Sequence, residues 1–122
     1  KAVGPYSQAV ASADHVFLSG QTPIDPATGA LVDADVARQA QRCFDNLGAV
    51  LASAGLTFDD VVKVNVYLTS MDDFVEMNAV YARQFTEPFP ARTTVAVAAL
   101  PLGARIEIEL VACVQRRVQA SA

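Results

Sequence analysis

The sequence has no tryptophan, one histidine, two cysteines and, among nine basic residues, only two lysines. Each shortage removes a class of function. A zinc site needs several His or Cys ligands at set spacings, and His15 has no spaced partners. A Ser-His-Asp triad would have to be built around the same residue, so both are set aside and no metal is expected. Cys43 and Cys113 lie far apart and outside any Cys-x-x-Cys. That suits small buried residues of a reducing, cytoplasmic compartment better than a disulfide framework. Thirteen acidic residues against nine basic ones give a net charge of −4. No basic stripe is visible for tracking phosphates, so no nucleic-acid partner is expected. No apolar run approaches the ~20 residues that cross a bilayer, and no basic-then-apolar leader opens the chain. Neither a membrane partner nor a secretory signal is expected.

What is present is apolar. Hydrophobic residues make up 52% of the 122 positions and charged ones 18%, which fits a well-buried core and excludes a disordered chain. There is no repeat, low-complexity tract or linker, so one domain is expected over residues 1–122. Ser7–Ala11 and His15–Ser19 are short β-prone runs separated by Ser12-Ala13-Asp14, a hairpin pattern. Asp25-Pro26-Ala27-Thr28-Gly29 has turn chemistry. Asp33 is placed to cap a first helix in which Val36, Ala40, Phe44, Leu47, Leu51 and Ala54 recur at three- and four-residue spacing. Gly55 then reads as a left-handed cap, with Leu56 placed against Leu51 in a Schellman-type ending.

Val61–Leu68 alternates as a strand, with Val62, Val64, Val66 and Leu68 on one face and Lys63, Asn65 and Tyr67 on the other. Ser70 opens a second helix in a capping-box-like start with Asp73; Phe74, Asn78, Tyr81 and Phe85 form its stripe, and Pro88 stops it. Strands over Thr93–Ala98 and Arg105–Val114 follow, joined by a turn at Leu100–Gly103. The order ββαβαββ predicts an α+β fold. Two helices cannot cover both faces of such a sheet, so they pack on one, and the other is left to water or further subunits.

Few residues stand out for chemistry. Glu107 and Glu109 alternate with Ile106 and Ile108, so both carboxylates point away from the helix-packed face. From spacing alone a solvated charged face is the plainer reading; the functional one is a partly desolvated carboxyl ready for acid–base work. Arg92 follows a loop stiffened by Pro88 and Pro90. It reads either as a surface ion-pair partner or as a planar fork held to grip a carboxylate. Asn78 interrupts an apolar stripe and needs a partner, with backbone the plainer choice over a ligand. Tyr6 reads as a core or edge aromatic and His15 as a surface residue.

Taken together, several segments resemble the RidA (YjgF) family of reactive-intermediate deaminases. They are Gly4-Pro5-Tyr6-Ser7-Gln8, Ser19-Gly20-Gln21, Asp25-Pro26-Ala27-Thr28-Gly29, Asn78, Pro90-Ala91-Arg92-Thr93 and Ile106-Glu107-Ile108-Glu109. Each is weak alone; in this order and at these separations they are specific, and the block at Arg92 discriminates most. The resemblance implies a chorismate-mutase-like fold, a mixed sheet with two helices on one face, assembled as a homotrimer with clefts between subunits. It implies hydrolysis of 2-imino and 2-enamino acids of the 2-aminoacrylate type to 2-oxo acids and ammonia, without a cofactor, which protects pyridoxal-phosphate enzymes. The family's carboxylate-gripping arginine falls on Arg92 and its water-activating glutamate on Glu107. Its pocket positions fall on Tyr6, Ser19, Gly20 and Asn78. Thr94 joins that pocket where many relatives carry Cys, so thiol-dependent behaviour is not carried over. Two other readings stand beside it: a trimeric, non-catalytic sensor of small 2-oxo acids or carboxylates that would use the same arginine and cleft, and an endoribonuclease, the label some family members carry. The acidic balance and lone histidine disfavour the second.

Overall fold

A computed structural model of the chain describes residues 4–33 and 35–114. Strands β1 (Ala9–Ser12) and β2 (His15–Gln21) form an antiparallel hairpin through Ala13 and Asp14. Ala13 has a φ of 52°, the hand a two-residue hairpin turn requires. The first strand starts two residues later than its β-prone run. Ser7 and Gln8 instead offer their carbonyls to β2, accepting from the Ser19 hydroxyl at 2.6 Å and the Ser19 N–H at 2.9 Å.

Helix α1 (Val36–Ser53) is capped by Asp35, not Asp33. The Asp35 carboxylate accepts from the Arg38 N–H at 2.9 Å, which makes the fully buried Val36 the first helical residue and starts the apolar stripe there. Ala54, expected in that stripe, is the exposed C-cap. The ending is the Schellman type: Gly55 has φ 75°, its N–H reaches the Ala52 carbonyl, and the Leu56 N–H reaches that of Leu51 at 2.9 Å.

Strand β3 (Val61–Leu68) carries a bulge between Val61 and Lys63. One extra residue reverses the alternation locally, so Val61 rather than Val62 is buried, ahead of Val64, Val66 and Leu68. Ser70 caps a single 3₁₀ turn, Met71–Asp73, before helix α2 (Phe74–Ala82). Asp73 does not complete a capping box; its buried carboxylate pairs with the Arg105 guanidinium at 2.7 Å. The helix also ends well before Pro88. Its last turn tightens into three-residue bonds from Arg83 and Gln84, and the Gln84 amide caps the Val80 carbonyl at 3.0 Å.

Strand β4 (Ala91–Ala96) runs parallel to β3, from Lys63 opposite Ala91 to Leu68 opposite Ala96. It begins and ends two residues before the predicted span because the ladder stops with Leu68, the last residue of β3. Strand β5 (Ile106–Cys113) pairs antiparallel with β2 and β3, giving one mixed five-stranded sheet in the order β1-β2-β5-β3-β4. Alternate residues of the three central strands pack under α1 and α2 around Phe44, Leu47, Leu51 and Met77, all fully buried. The opposite face carries Phe17 and Val95, both more than 40% exposed. Among the described residues no helix is long and apolar enough to cross a membrane.

Candidate active site

Arg92 pairs with Val64 across the parallel ladder, which turns its side chain toward the helix-packed side. There α2 presents Phe74, Asn78 and Tyr81, spaced four and three apart and so on one helical face. The Arg92 Nη1 donates to the Asn78 Oδ1 at 2.6 Å. Its guanidinium carbon sits 4.5 Å from the Tyr81 ring centroid and 5.6 Å from that of Phe74. The amide inside the apolar stripe is thus explained by a side-chain partner rather than backbone. Among the described residues no carboxylate lies within ion-pair distance of Arg92. Thr94, on the same face of β4, has a buried hydroxyl with no hydrogen-bond partner among the described residues.

Glu107 lies on the other face, opposite Tyr67 of β3. Its carboxylate covers Gly20: a Cβ built there would fall 2.8 Å from Glu107 Oε2. Burial, reinforced by the Glu109 charge, holds the Glu107 carboxyl above the ordinary glutamate range. The two glutamates are not equivalent. Glu109 accepts from the Tyr67 hydroxyl at 2.9 Å and the Asn65 amide at 3.5 Å, whereas Glu107 accepts no hydrogen bond from any described side chain. Behind them, the Cys43 thiol donates to the Gln21 carbonyl at 3.2 Å; burial and then the Glu107 charge push its pKa far up, so it stays protonated.

The remaining predicted positions cluster near the hairpin. The Ser19 hydroxyl is spent on the Ser7 carbonyl and ties the segment bearing Tyr6 to β2. Tyr6 itself is 51% exposed and folds back on Gly4. Arg92, Asn78 and Thr94 therefore form one group, and Glu107, Gly20 and Ser19 another. The two groups lie on opposite sheet faces, with β4 two strand spacings, roughly 10 Å, from β5. A cavity of about 440 Å³ between α1 and the 25–32 loop includes none of them. Its polar groups are largely used locally: Gln41 bonds Asp45, Arg42 bonds Asn46, and Asp25 accepts from the Ala27 N–H. Among the described residues no cluster of His, Cys, Asp and Glu could hold a metal.

The close approach at Gly20 gives a prediction. Gly20→Ala should fold, because the atom it strikes is the mobile end of a side chain, yet it should displace the Glu107 carboxylate. A 1 Å misplacement of a reacting group can cost about 10²-fold in rate, so if Glu107 does chemistry a loss of up to that order with an unchanged Tm is expected. Unaltered turnover in Gly20→Ala would show that the position of Glu107 does not matter.

A family model described as Endoribonuclease L-PSP matches residues 1–114. The chain belongs to the YjgF/RidA family. Protein DfrA of Myxococcus xanthus is 52% identical over 114 residues, covering 92% of this chain and 87% of that protein. Human 2-iminobutanoate/2-iminopropanoate deaminase is 47% identical over 111 residues, covering 91% and 81%. The crystal structure of RidA from an Antarctic Psychrobacter superposes with a TM-score of 0.88 at 44% identity, over 93% of this chain and 91% of that one. The α+β fold is that of the RidA structures, and the family includes proteins named as deaminases. Sequence reasoning missed the rings under Arg92 and the Tyr67–Asn65 clamp on Glu109. Only the polar break at Asn78 hinted at the first; strand register, which creates the second, leaves no local mark.

Proposed function

We propose that this RidA-family protein hydrolyses 2-imino and 2-enamino acids of the 2-aminoacrylate type to 2-oxo acids and ammonia. We place the site in a cleft between copies of the chain in a homotrimer, in a cytoplasmic setting. The observation that carries the reading is the contrast between the glutamates: Glu109 is clamped, while Glu107 is unclamped, partly desolvated and raised in pKa. The deaminase names of relatives at 45–47% identity support it further. The separation of Arg92 and Glu107 supports a shared cleft, since a four-carbon acid gripped by one cannot reach the other across the sheet. Arg92 from one copy and Glu107 from its neighbour would then face the same substrate, together with Thr94 and the Tyr6, Ser19 and Gly20 segment.

The chemistry asks little of such a site. An enamine first takes a proton from solvent at carbon to become the protonated imine, an iminium whose carbon is already electrophilic. Glu107 removes a proton from water as the oxygen bonds to that carbon, giving a carbinolamine. The same carboxyl then returns the proton to nitrogen; the C–N bond breaks, and the hydroxyl proton passes to the departing ammonia as the carbonyl forms, leaving ammonium and a free Glu107 carboxylate. Arg92 holds the substrate carboxylate and aims the carbon at the water. Two unpaired cysteines suit a reducing compartment.

The test is a coupled assay. A pyridoxal-phosphate dehydratase generates the imine, the protein is added, and 2-oxo acid release is timed against semicarbazide trapping. Acceleration is expected; no acceleration with any of several amino-acid precursors, alongside tight 2-oxo-acid binding, would make the protein a sensor instead. Light scattering during gel filtration should give three times the 12.9 kDa chain mass. A monomer at micromolar concentration would remove the shared cleft.

A further inference from the structure

We propose that Tyr81, assisted by Phe74, is the positioning residue of Arg92, its ring setting the guanidinium in the orientation that receives the substrate carboxylate. The proposal rests on the deaminase reading above and names a residue that reading does not need. A bidentate grip requires the plane of the fork, not only its charge, to be held before the ligand arrives. Asn78 fixes one corner, its Oδ1 accepting a hydrogen bond from Nη1 at 2.6 Å, and a single hydrogen bond leaves the plane free to turn about it. The ring of Tyr81, 4.5 Å beneath the guanidinium carbon, removes that freedom, and Phe74 at 5.6 Å bounds it further.

Tyr81 is suited to this because its ring is wedged into the core. It is 6% exposed and packs on Phe85 at 4.7 Å and edge-on to the fully buried Phe44 at 5.9 Å. The orientation of Arg92 is thereby referred back to the core under α1. The Tyr81 hydroxyl has no hydrogen-bond partner among the described residues, so the ring and not the phenol does the holding. The residues come at positions 74, 78 and 81 of one helix, so a single helical face supplies both rings and the amide.

The experiment is a mutant cycle on the full-length protein. Tyr81→Phe, Tyr81→Leu and Phe74→Leu are made in wild-type and Arg92→Ala backgrounds. Each is read by kcat/KM in the coupled assay and by NMR titration with 2-oxobutanoate, which follows millimolar Kd values. Tyr81→Phe should stay within about twofold of wild type, because the ring is kept. Tyr81→Leu should raise Kd and KM about three- to thirtyfold, the span of cation–π contributions. In the Arg92→Ala background the same change should cost nothing more, since a residue acting through Arg92 has nothing left to act on. An equal loss in both backgrounds would reduce Tyr81 to core packing, and a loss in Tyr81→Phe matching that of Tyr81→Leu would transfer the role to the hydroxyl; either overturns the proposal. Should Tyr81→Leu not fold, Phe74→Leu, at a half-buried ring, must show a smaller loss that likewise vanishes with Arg92. Binding of 2-oxobutanoate without turnover would sink the deaminase reading while leaving the cycle decisive through Kd. With turnover but no measurable 2-oxobutanoate binding, kcat/KM decides the cycle; neither turnover nor binding by the wild-type protein would overturn both.

Discussion

Glu107→Gln is expected to lower kcat/KM by about 10²–10⁴-fold, the range lost with one general acid–base group. The amide nearly matches the carboxyl in shape, fits over Gly20 as before, and cannot accept a proton from water. Ligand binding should persist, because the proposed mechanism gives the substrate carboxylate to Arg92 and not to Glu107. Stability should move the other way. The folded protein raises the Glu107 pKa through burial and the neighbouring Glu109, so it disfavours the charged form. The proton-linked stability is fully present below the ordinary glutamate pKa and is lost as pH rises through the raised folded value. At neutral pH, therefore, Glu107→Gln should melt at or above the wild-type temperature, and the gap should close in acid. The carboxylate must be free to act as base, so the acid limb of kcat/KM should sit above the ordinary glutamate range. Glu109→Gln removes the like charge and should move that limb to lower pH, with little change in the plateau. Equal plateau losses in Glu107→Gln and Glu109→Gln would mean that the clamp on Glu109 does not divide their roles.

The division between the glutamates illustrates what local pattern can and cannot carry. Alternation along β5 places both on one face, and that much follows from the period-two geometry of a strand. What separates them is the neighbouring strand: Asn65 stands opposite Glu109 and brings its amide, while Tyr67, opposite Glu107, leans along the sheet to give its hydroxyl to Glu109. Register across 40 residues of chain decides this, and no window of sequence contains it. The periodic stripe of α1 and its Gly55 ending were legible because every signal for them lies within one helix and its cap. Boundaries were less so. Asp33 and Asp35 are equally good caps in isolation, and burial of Val36 selects between them. The face taken by Arg92 was hidden for a related reason: a strand expected to begin at Thr93 leaves Arg92 in a loop, with no face at all. Parallel pairing with β3 brings it into the ladder, and the β3–α2–β4 crossover then lays Asn78 and Tyr81 beneath it.

That placement sharpens the second large effect, expected for Arg92→Lys. Lysine preserves the charge, so a role limited to electrostatic attraction would survive with little loss. The proposed grip asks more. One corner of the fork is occupied by Asn78 and its plane is bounded by two rings, which leaves the remaining N–H groups for a planar carboxylate. An ammonium has three donors about a point and no plane to stack, so it can keep the attraction but not the paired hydrogen bonds. Loss of one charge-assisted bond costs about 1.5–3 kcal/mol, roughly one to two decades in kcat/KM. Both constants should suffer: KM rises with the weaker grip, and kcat falls because the imine carbon is no longer aimed at the water beside Glu107. Tm should drop only slightly, since a lysine cation can still sit over Tyr81 and reach toward Asn78. The decisive comparison is between a 2-oxo acid and its amide as ligands. Wild type should prefer the acid strongly, and Arg92→Lys should keep only the part of that preference that charge alone supplies. If the lysine variant keeps both near-wild-type kcat/KM and the preference, Arg92 acts as a charge alone, and the planar arrangement over Tyr81 has no part in orienting the substrate.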